Sequence, residues 1–134
     1  MMLAVAGVLA IAASLAWDVA DAAAQQEPLR AGTVWVNQLG STMTIQVVAA
    51  NGLVTGTYAT KVGCGAGKVR PLIGWYNKGA FAFVVNWEEC ESLTAWSGHV
   101  DSLNPKIVTL WHLPKSGPPR WDSTFAGADT FVPK

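Results

Sequence analysis

Ser92, Thr94, Trp96 and Gly98 alternate with Leu93, Ala95 and Ser97. On a strand every second residue shares a face, so two hydroxyls and an indole point the same way. Trp87 ends an Ala/Phe/Val-rich run just upstream. Aromatic walls beside hydroxyls on an inward face describe recognition of a small molecule, by ring contact and hydrogen bonding, better than they describe a dry core. The same parity extends the set. Trp35 brings Asn37, and Trp87 brings Val85, Phe83 and Phe81. Trp111 brings Leu113, Thr109 and Ile107, while Tyr58 shares a face with Thr60, Gly56 and Val54. Asp129 goes with Phe131, Gly127 and Phe125, and Ser41 with Met43, Ile45 and Val47. If every Trp points inward, the inward polar groups are Asn37, Ser41, Tyr58, Thr60, Ser92, Thr94 and Asp129. Buried polar groups need partners, and a lone buried carboxylate such as Asp129 is the most demanding of them.

Taken singly, a strand Trp is more often a core filler and a lone Asp more often a surface residue. The argument for a site is their coincidence at one end of one fold. That chemistry is binding, not catalysis. A nucleophile requires a base within hydrogen-bond reach, and His99 and His112 follow the inward Gly98 and Trp111, so both face outward. No catalytic residue, and hence no enzyme, is expected.

The elements that position these residues are short strands. Candidates run over 33–38, 42–48, 54–61, 70–76, 80–87, 92–101, 106–113 and 123–132, separated by turn signals such as Asn51-Gly52, Asn77-Lys-Gly79 and Asn104-Pro105. No segment carries a 3.6-residue apolar period. Strands joined in sequence by short loops predict an all-β fold, an eight-stranded antiparallel up-and-down barrel whose closure removes the exposed edges and leaves room for one small ligand. A two-sheet sandwich is the alternative, but its Greek-key crossing needs a longer connection.

The head of the chain is a different kind of segment. Leu3 to Trp17 is almost wholly apolar, and small residues follow up to Ala24. That pattern predicts a secretory signal peptide over 1–24, too short for a membrane span. A flexible segment, 25–31, and one domain, 32–134, complete the chain. The expected location is secreted, extracellular or periplasmic. Removing the leader takes away Asp18 and Asp21, so the nine Lys and Arg face seven of the nine acids. A surplus near +2 with no basic cluster gives no footprint for nucleic acid, and nothing points to a membrane. Cys64 and Cys90 are the only cysteines. In an exported chain such a pair reads as one disulfide, with a contribution on the order of 3 kcal/mol. Two thiols with no nearby His pair do not complete a metal site.

Four stretches, Trp35-Val-Asn-Gln-Leu-Gly-Ser-Thr42, Gly56-Thr-Tyr58, Thr94-Ala-Trp-Ser-Gly98 and Trp121-Asp-Ser-Thr-Phe-Ala-Gly-Ala-Asp-Thr-Phe131, stand in this order. Together they resemble the avidin and streptavidin family of biotin-binding proteins, over Gly32 to Val132. The resemblance implies a barrel holding biotin at one open end, with no other cofactor. It implies that Asn37, Ser41 and Tyr58 donate to the ureido oxygen. Asp129 and Thr60 would accept from the ureido N–H groups, and Thr94 would approach the thioether sulfur. Trp87, Trp96 and Trp111 would wall the bicyclic ring, with Leu39, Val62 and Leu113 as apolar contacts. Ser92 and the loop Gly63 to Gly67 would meet the valerate carboxylate, and Trp121 would cover the pocket of a neighbouring subunit.

Some bacterial members carry a bridge like the one Cys64 and Cys90 would make between two pocket loops. Disulfide-bearing relatives include dimers without the covering Trp, so the presence of Trp121 favours a homotetramer. Gly32-Thr-Val-Trp35 also resembles the early Gly/Trp signature of lipocalins. A lipocalin-like carrier of another small apolar ligand is therefore the alternative.

Overall fold

A computed structural model describes residues 27–134, and the expected leader lies outside the described residues. Eight strands run in chain order: β1 (Val34–Asn37), β2 (Thr42–Val48), β3 (Leu53–Ala59), β4 (Val69–Asn77), β5 (Ala80–Asn86), β6 (Leu93–Asp101), β7 (Lys106–Pro114) and β8 (Thr124–Pro133). Each pairs antiparallel with the next, and β8 returns to β1 through Asn37 opposite Phe131, which closes the barrel. Closure leaves no free sheet edge for another chain to pair with.

The turns are short because their residues accept the required backbone. Between β4 and β5, Lys78 and Gly79 both have positive φ, 45° and 91°. That is the pair of left-handed residues a two-residue hairpin of matching twist demands. Pro71 lies near the start of β4, paired with Thr57 of β3 just before the register with β5 begins at Leu72. With a neighbour on one side only, its missing N–H is tolerated.

Alternation along the strands builds the interior. In β5 the pattern is strict, with Phe81, Phe83 and Val85 buried and Ala82 and Val84 exposed. Trp35, Met43, Ile45, Val54, Leu72, Phe81, Phe83, Val85, Ile107 and Phe131 form a continuous core with Tyr58, Trp87 and Trp96. Leu29, from the segment ahead of β1, is only 2% exposed and packs into the same core.

Two parity expectations fail, each for a local reason. Val47 does not join Ser41, Met43 and Ile45 inside. The β2–β3 register shifts between Ile45 and Val47, and such a bulge reverses the facing of the residues beyond it. Val47 is exposed, and Val48 packs against the core instead. Nor do all the tryptophans point inward. Trp75 shares the outward face of β4 with Ile73, and Trp121 lies on a 3₁₀ turn, Trp121–Ser123, outside the barrel.

Candidate functional site

One end of the barrel holds a cavity of about 480 Å³, within the range that encloses a small ligand. Its wall contains Asn37, Leu39, Ser41, Tyr58, Thr60, Val62, Trp87, Ser92, Thr94, Trp96, Trp111, Leu113 and Asp129, all singled out in the sequence, together with Gly63 and both cysteines. Lys115 and Phe125 complete it. Trp121 does not line this chain's own cavity and is 88% exposed. His99 and His112 lie on the exposed outer faces of β6 and β7, as their parity requires.

The carboxylate of Asp129 sits inside this wall at 7% exposure, and it is not isolated. Oδ1 accepts from Gln38 Nε2 at 2.6 Å, and Oδ2 accepts from Trp96 Nε1 at 2.8 Å. Each oxygen keeps further acceptor capacity, since an ionised carboxylate offers about four lone-pair sites. Gln38 is itself held, because its Oε1 accepts from the Thr130 amide. The turn after β1 thus locks onto β8 at the seam where the barrel closes. Gln38 was not expected at the site. It neighbours Asn37 in the chain, so its parity points away, and only the non-sequential β1–β8 pairing brings it to Asp129.

The neutral polar groups are committed so that their free valences converge on the cavity. Asn37 Oδ1 accepts from the amides of Leu39 and Ser41, at 3.1 and 2.9 Å. Its NH₂ remains as the donor. Ser41 Oγ accepts from the Lys61 amide at 3.0 Å, which leaves its proton to donate. Burial, then the negative charge of Asp129, push the Tyr58 hydroxyl pKa well above its ordinary value, with a hydrogen bond to Ser41 acting the other way. Tyr58 is therefore a protonated donor throughout the physiological range. Thr60 donates to the Val62 carbonyl at 2.8 Å and accepts from the Val62 amide at 3.3 Å, so one lone pair of its oxygen remains for a ligand donor. Thr94 Oγ1 accepts from Trp87 Nε1 at 2.7 Å, and its own proton is free.

The aromatic walls are held by these bonds and by stacking. Trp96 lies on Phe83 with centroids 4.7 Å apart and planes 9° from parallel. Tyr58 is 4.8 Å from Trp96 and 5.9 Å, edge-on, from Trp87. With both indole N–H groups of Trp87 and Trp96 bonded, neither ring turns without breaking a buried hydrogen bond. Trp111 is placed differently. A Cβ on Gly127 would fall inside the van der Waals envelope of the Trp111 ring, so the ring packs against β8 only because residue 127 has no side chain. Gly127→Ala is expected to displace that ring and to lower stability by about 1–3 kcal/mol, as overpacking does. Chemical denaturation with tryptophan emission as the signal reads both effects.

Two ties hold the mouth. Cys64 and Cys90 form a disulfide with Cα atoms 6.0 Å apart, joining the β3–β4 loop to the 3₁₀ turn Glu88–Cys90. The pairing therefore uses both thiols, and neither is left for a metal. Beside it, Lys68 reaches Glu89 at 2.8 Å, and the Arg70 guanidinium contacts Glu89 and Glu88. The hydrogen bond from Lys68, followed by backbone and Arg70 contacts, holds the Glu89 carboxyl at about 2, well below its ordinary value. Gly65, with φ of 81°, packs between the Trp87 ring and Cys90 Sγ, at 3.5 and 3.7 Å to an added Cβ. The loop thus bears directly on a cavity wall.

The match to known proteins is consistent along the chain. The family model for the avidin family covers residues 25–134. Avidin of Gallus gallus is 34% identical over 112 residues, spanning 73% of this chain and 74% of that protein. Among solved structures, a shwanavidin variant in complex with biotin superposes with a TM-score of 0.76 at 34% identity, covering 79% of this chain and 97% of that one. A rhizavidin–biotin complex superposes with a TM-score of 0.67 at 37% identity, covering 78% and 92%. With the closed eight-stranded barrel, its cavity and the bridging disulfide already in place, these matches make the chain a member of the avidin family.

Proposed function

We propose that this chain is an exported, non-catalytic biotin-binding protein that holds the vitamin's ureido group against the cavity floor. One observation carries the reading. Three donors (the Asn37 amide, the Ser41 hydroxyl and the Tyr58 phenol) and two acceptors (the Thr60 hydroxyl and the Asp129 carboxylate) line one cavity bounded by Trp87, Trp96 and Trp111. A cyclic urea presents the complementary set, one strong acceptor oxygen and two N–H donors. Donors converging on the oxygen while a carboxylate takes an N–H polarise the urea, and charge-assisted bonds exceed neutral ones in strength. Thr94 approaches the thioether sulfur, Leu39, Val62 and Leu113 contact the apolar parts, and Ser92 with the loop Gly63 to Gly67 meets the carboxylate tail. Because the walls are already bonded to one another, little freedom is lost on binding. A lipocalin-like carrier is not favoured, since an apolar ligand would leave this donor and acceptor set unmet.

Export rests on the apolar run from Leu3 to Trp17 and the small residues up to Ala24. Assembly as a homotetramer is the companion proposal. Ile73, Trp75, Val84 and Leu110 make the outer face of the barrel apolar, at 52, 57, 38 and 65% exposure. Exposed Trp121 is then free to reach the cavity of a neighbouring subunit. Titrating the purified protein with biotin should change tryptophan emission in step, saturating at one ligand per chain, while light scattering gives four chains per particle. Emission that stays flat up to millimolar biotin sinks the binding reading, and a monomer sinks the assembly reading.

A further inference from the structure

Lys115 lies in the wall of the cavity, where it and Asp129 are the charged residues. It continues the inward alternation of Ile107, Thr109, Trp111 and Leu113 one step past the end of β7. Its backbone is fixed from two sides. The Lys115 amide donates to the Ser123 carbonyl at 3.0 Å, the Ser116 amide donates to the Glu91 carbonyl at 2.8 Å, and Lys115 forms a bridge with Ser92. The ammonium sits over the Phe125 ring, 5.3 Å from its centroid. Phe125 is itself a wall residue, four positions before Asp129 on β8 and so about 13 Å along the strand. Nζ therefore stands at the Phe125 end of the cavity wall, away from the Asp129 carboxylate. Among the described residues no carboxylate pairs with it. Glu89, beside the disulfide, is by contrast engaged by Lys68 and Arg70.

A cation that is fixed at its base, rests on an aromatic face and has no carboxylate partner suits an anionic group on the far end of a ligand. We propose that Lys115 is a specificity-determining residue whose ammonium takes the carboxylate of the bound ligand's side chain, so that the site distinguishes the free acid from amide-linked forms. This rests on the biotin-binding reading above. In the complex, Asp129 meets the ligand's N–H at one end and Lys115 its carboxylate at the other. The two protein charges are thus matched to the two polar ends of one molecule. Ser92, bridged to Lys115, adds a hydroxyl at the same end. Coupling the ligand through an amide removes the negative charge and leaves the ammonium without its partner.

The test compares biotin with biotinamide, which keeps size and shape but lacks the charge. Dissociation constants for both are measured by competition on the wild-type protein and on the Lys115→Met and Lys115→Arg variants. Methionine preserves an unbranched chain over Phe125 without the charge, and arginine preserves the charge. The wild type is expected to favour the acid, with Lys115→Met narrowing the acid-to-amide ratio by about five-fold, at the upper end of what a partly exposed charge pair contributes. Lys115→Arg should restore most of that ratio, and raising the salt concentration should narrow it in the wild type but not in Lys115→Met. Lys115→Met binding both forms in the wild-type ratio overturns the proposal while leaving the biotin reading intact. Failure of the wild type to bind either form overturns both.

Discussion

Asp129→Ala is expected to leave the barrel folded and to weaken biotin binding by about 1.5–3 kcal/mol, the range for a hydrogen bond to a charged group. That corresponds to a rise in Kd of roughly ten- to a hundred-fold. Three things are lost together. The ureido N–H loses its charged acceptor. Trp96 Nε1 loses the bond that fixes its ring at 2.8 Å, and Gln38 loses its bond of 2.6 Å. The loss therefore includes preorganisation of one wall as well as a direct contact. Asp129→Asn separates these contributions, because an amide keeps the shape and one acceptor but no charge. It should fall between the wild type and Asp129→Ala. Displacement calorimetry measures all three proteins. An unchanged Kd in a folded Asp129→Ala variant would remove the carboxylate from the account of recognition.

The largest loss of stability is expected at Phe83. This ring is 1% exposed and stacks on both Phe81, at 5.2 Å, and Trp96, at 4.7 Å, with Phe131 edge-on at 6.2 Å. Phe83→Ala opens a void against all three, and the closed sheet around it has little freedom to collapse inward. Deletion of a fully buried aromatic costs about 3–5 kcal/mol. Denaturation at fixed protein concentration should show a lower midpoint with an unchanged slope. Phe83→Leu refills much of the space and should recover more than half of the loss. The same residue links core to site. Without its ring Trp96 has no backing, so Phe83→Ala should also weaken biotin binding although Phe83 is not part of the cavity wall. A void tolerated with no shift in the midpoint would mean that the barrel interior is not close-packed at this layer.

The strand parity was legible in the sequence because a period of two depends only on the local backbone. It grouped Asn37 with Trp35, Thr94 with Trp96, Tyr58 with Val54 and Asp129 with Phe131, each within its own strand, before any pairing was known. Where the backbone departs from that period, the inference stops. The bulge between Ile45 and Val47 turns Val47 outward, and neither residue type announces it. Parity also sorts faces without saying which is inside, so Trp75 looked the same as Trp87 until the sheet closed and left Trp75 on the outer side. Lys115 lies beyond Pro114, where the sequence pattern suggested that the strand had ended, yet the bridge to Ser92 carries the alternation one residue further.

The residue order by itself determined the strand number, the antiparallel run of hairpins, the cysteine pair and most of the polar set, since all of these depend on near neighbours in the chain and on turn residues. Only the tertiary structure decided how that polar set is satisfied: Gln38 on Asp129, Trp87 on Thr94, the Trp111 ring lying against Gly127, and the ammonium of Lys115 over Phe125. Only the first of those contacts joins residues far apart in sequence, across the β1–β8 seam. That one forms only when the sheet closes on itself, and the others form when neighbouring strands settle into register and their side chains pack; strand parity names the face of a residue but not its partner.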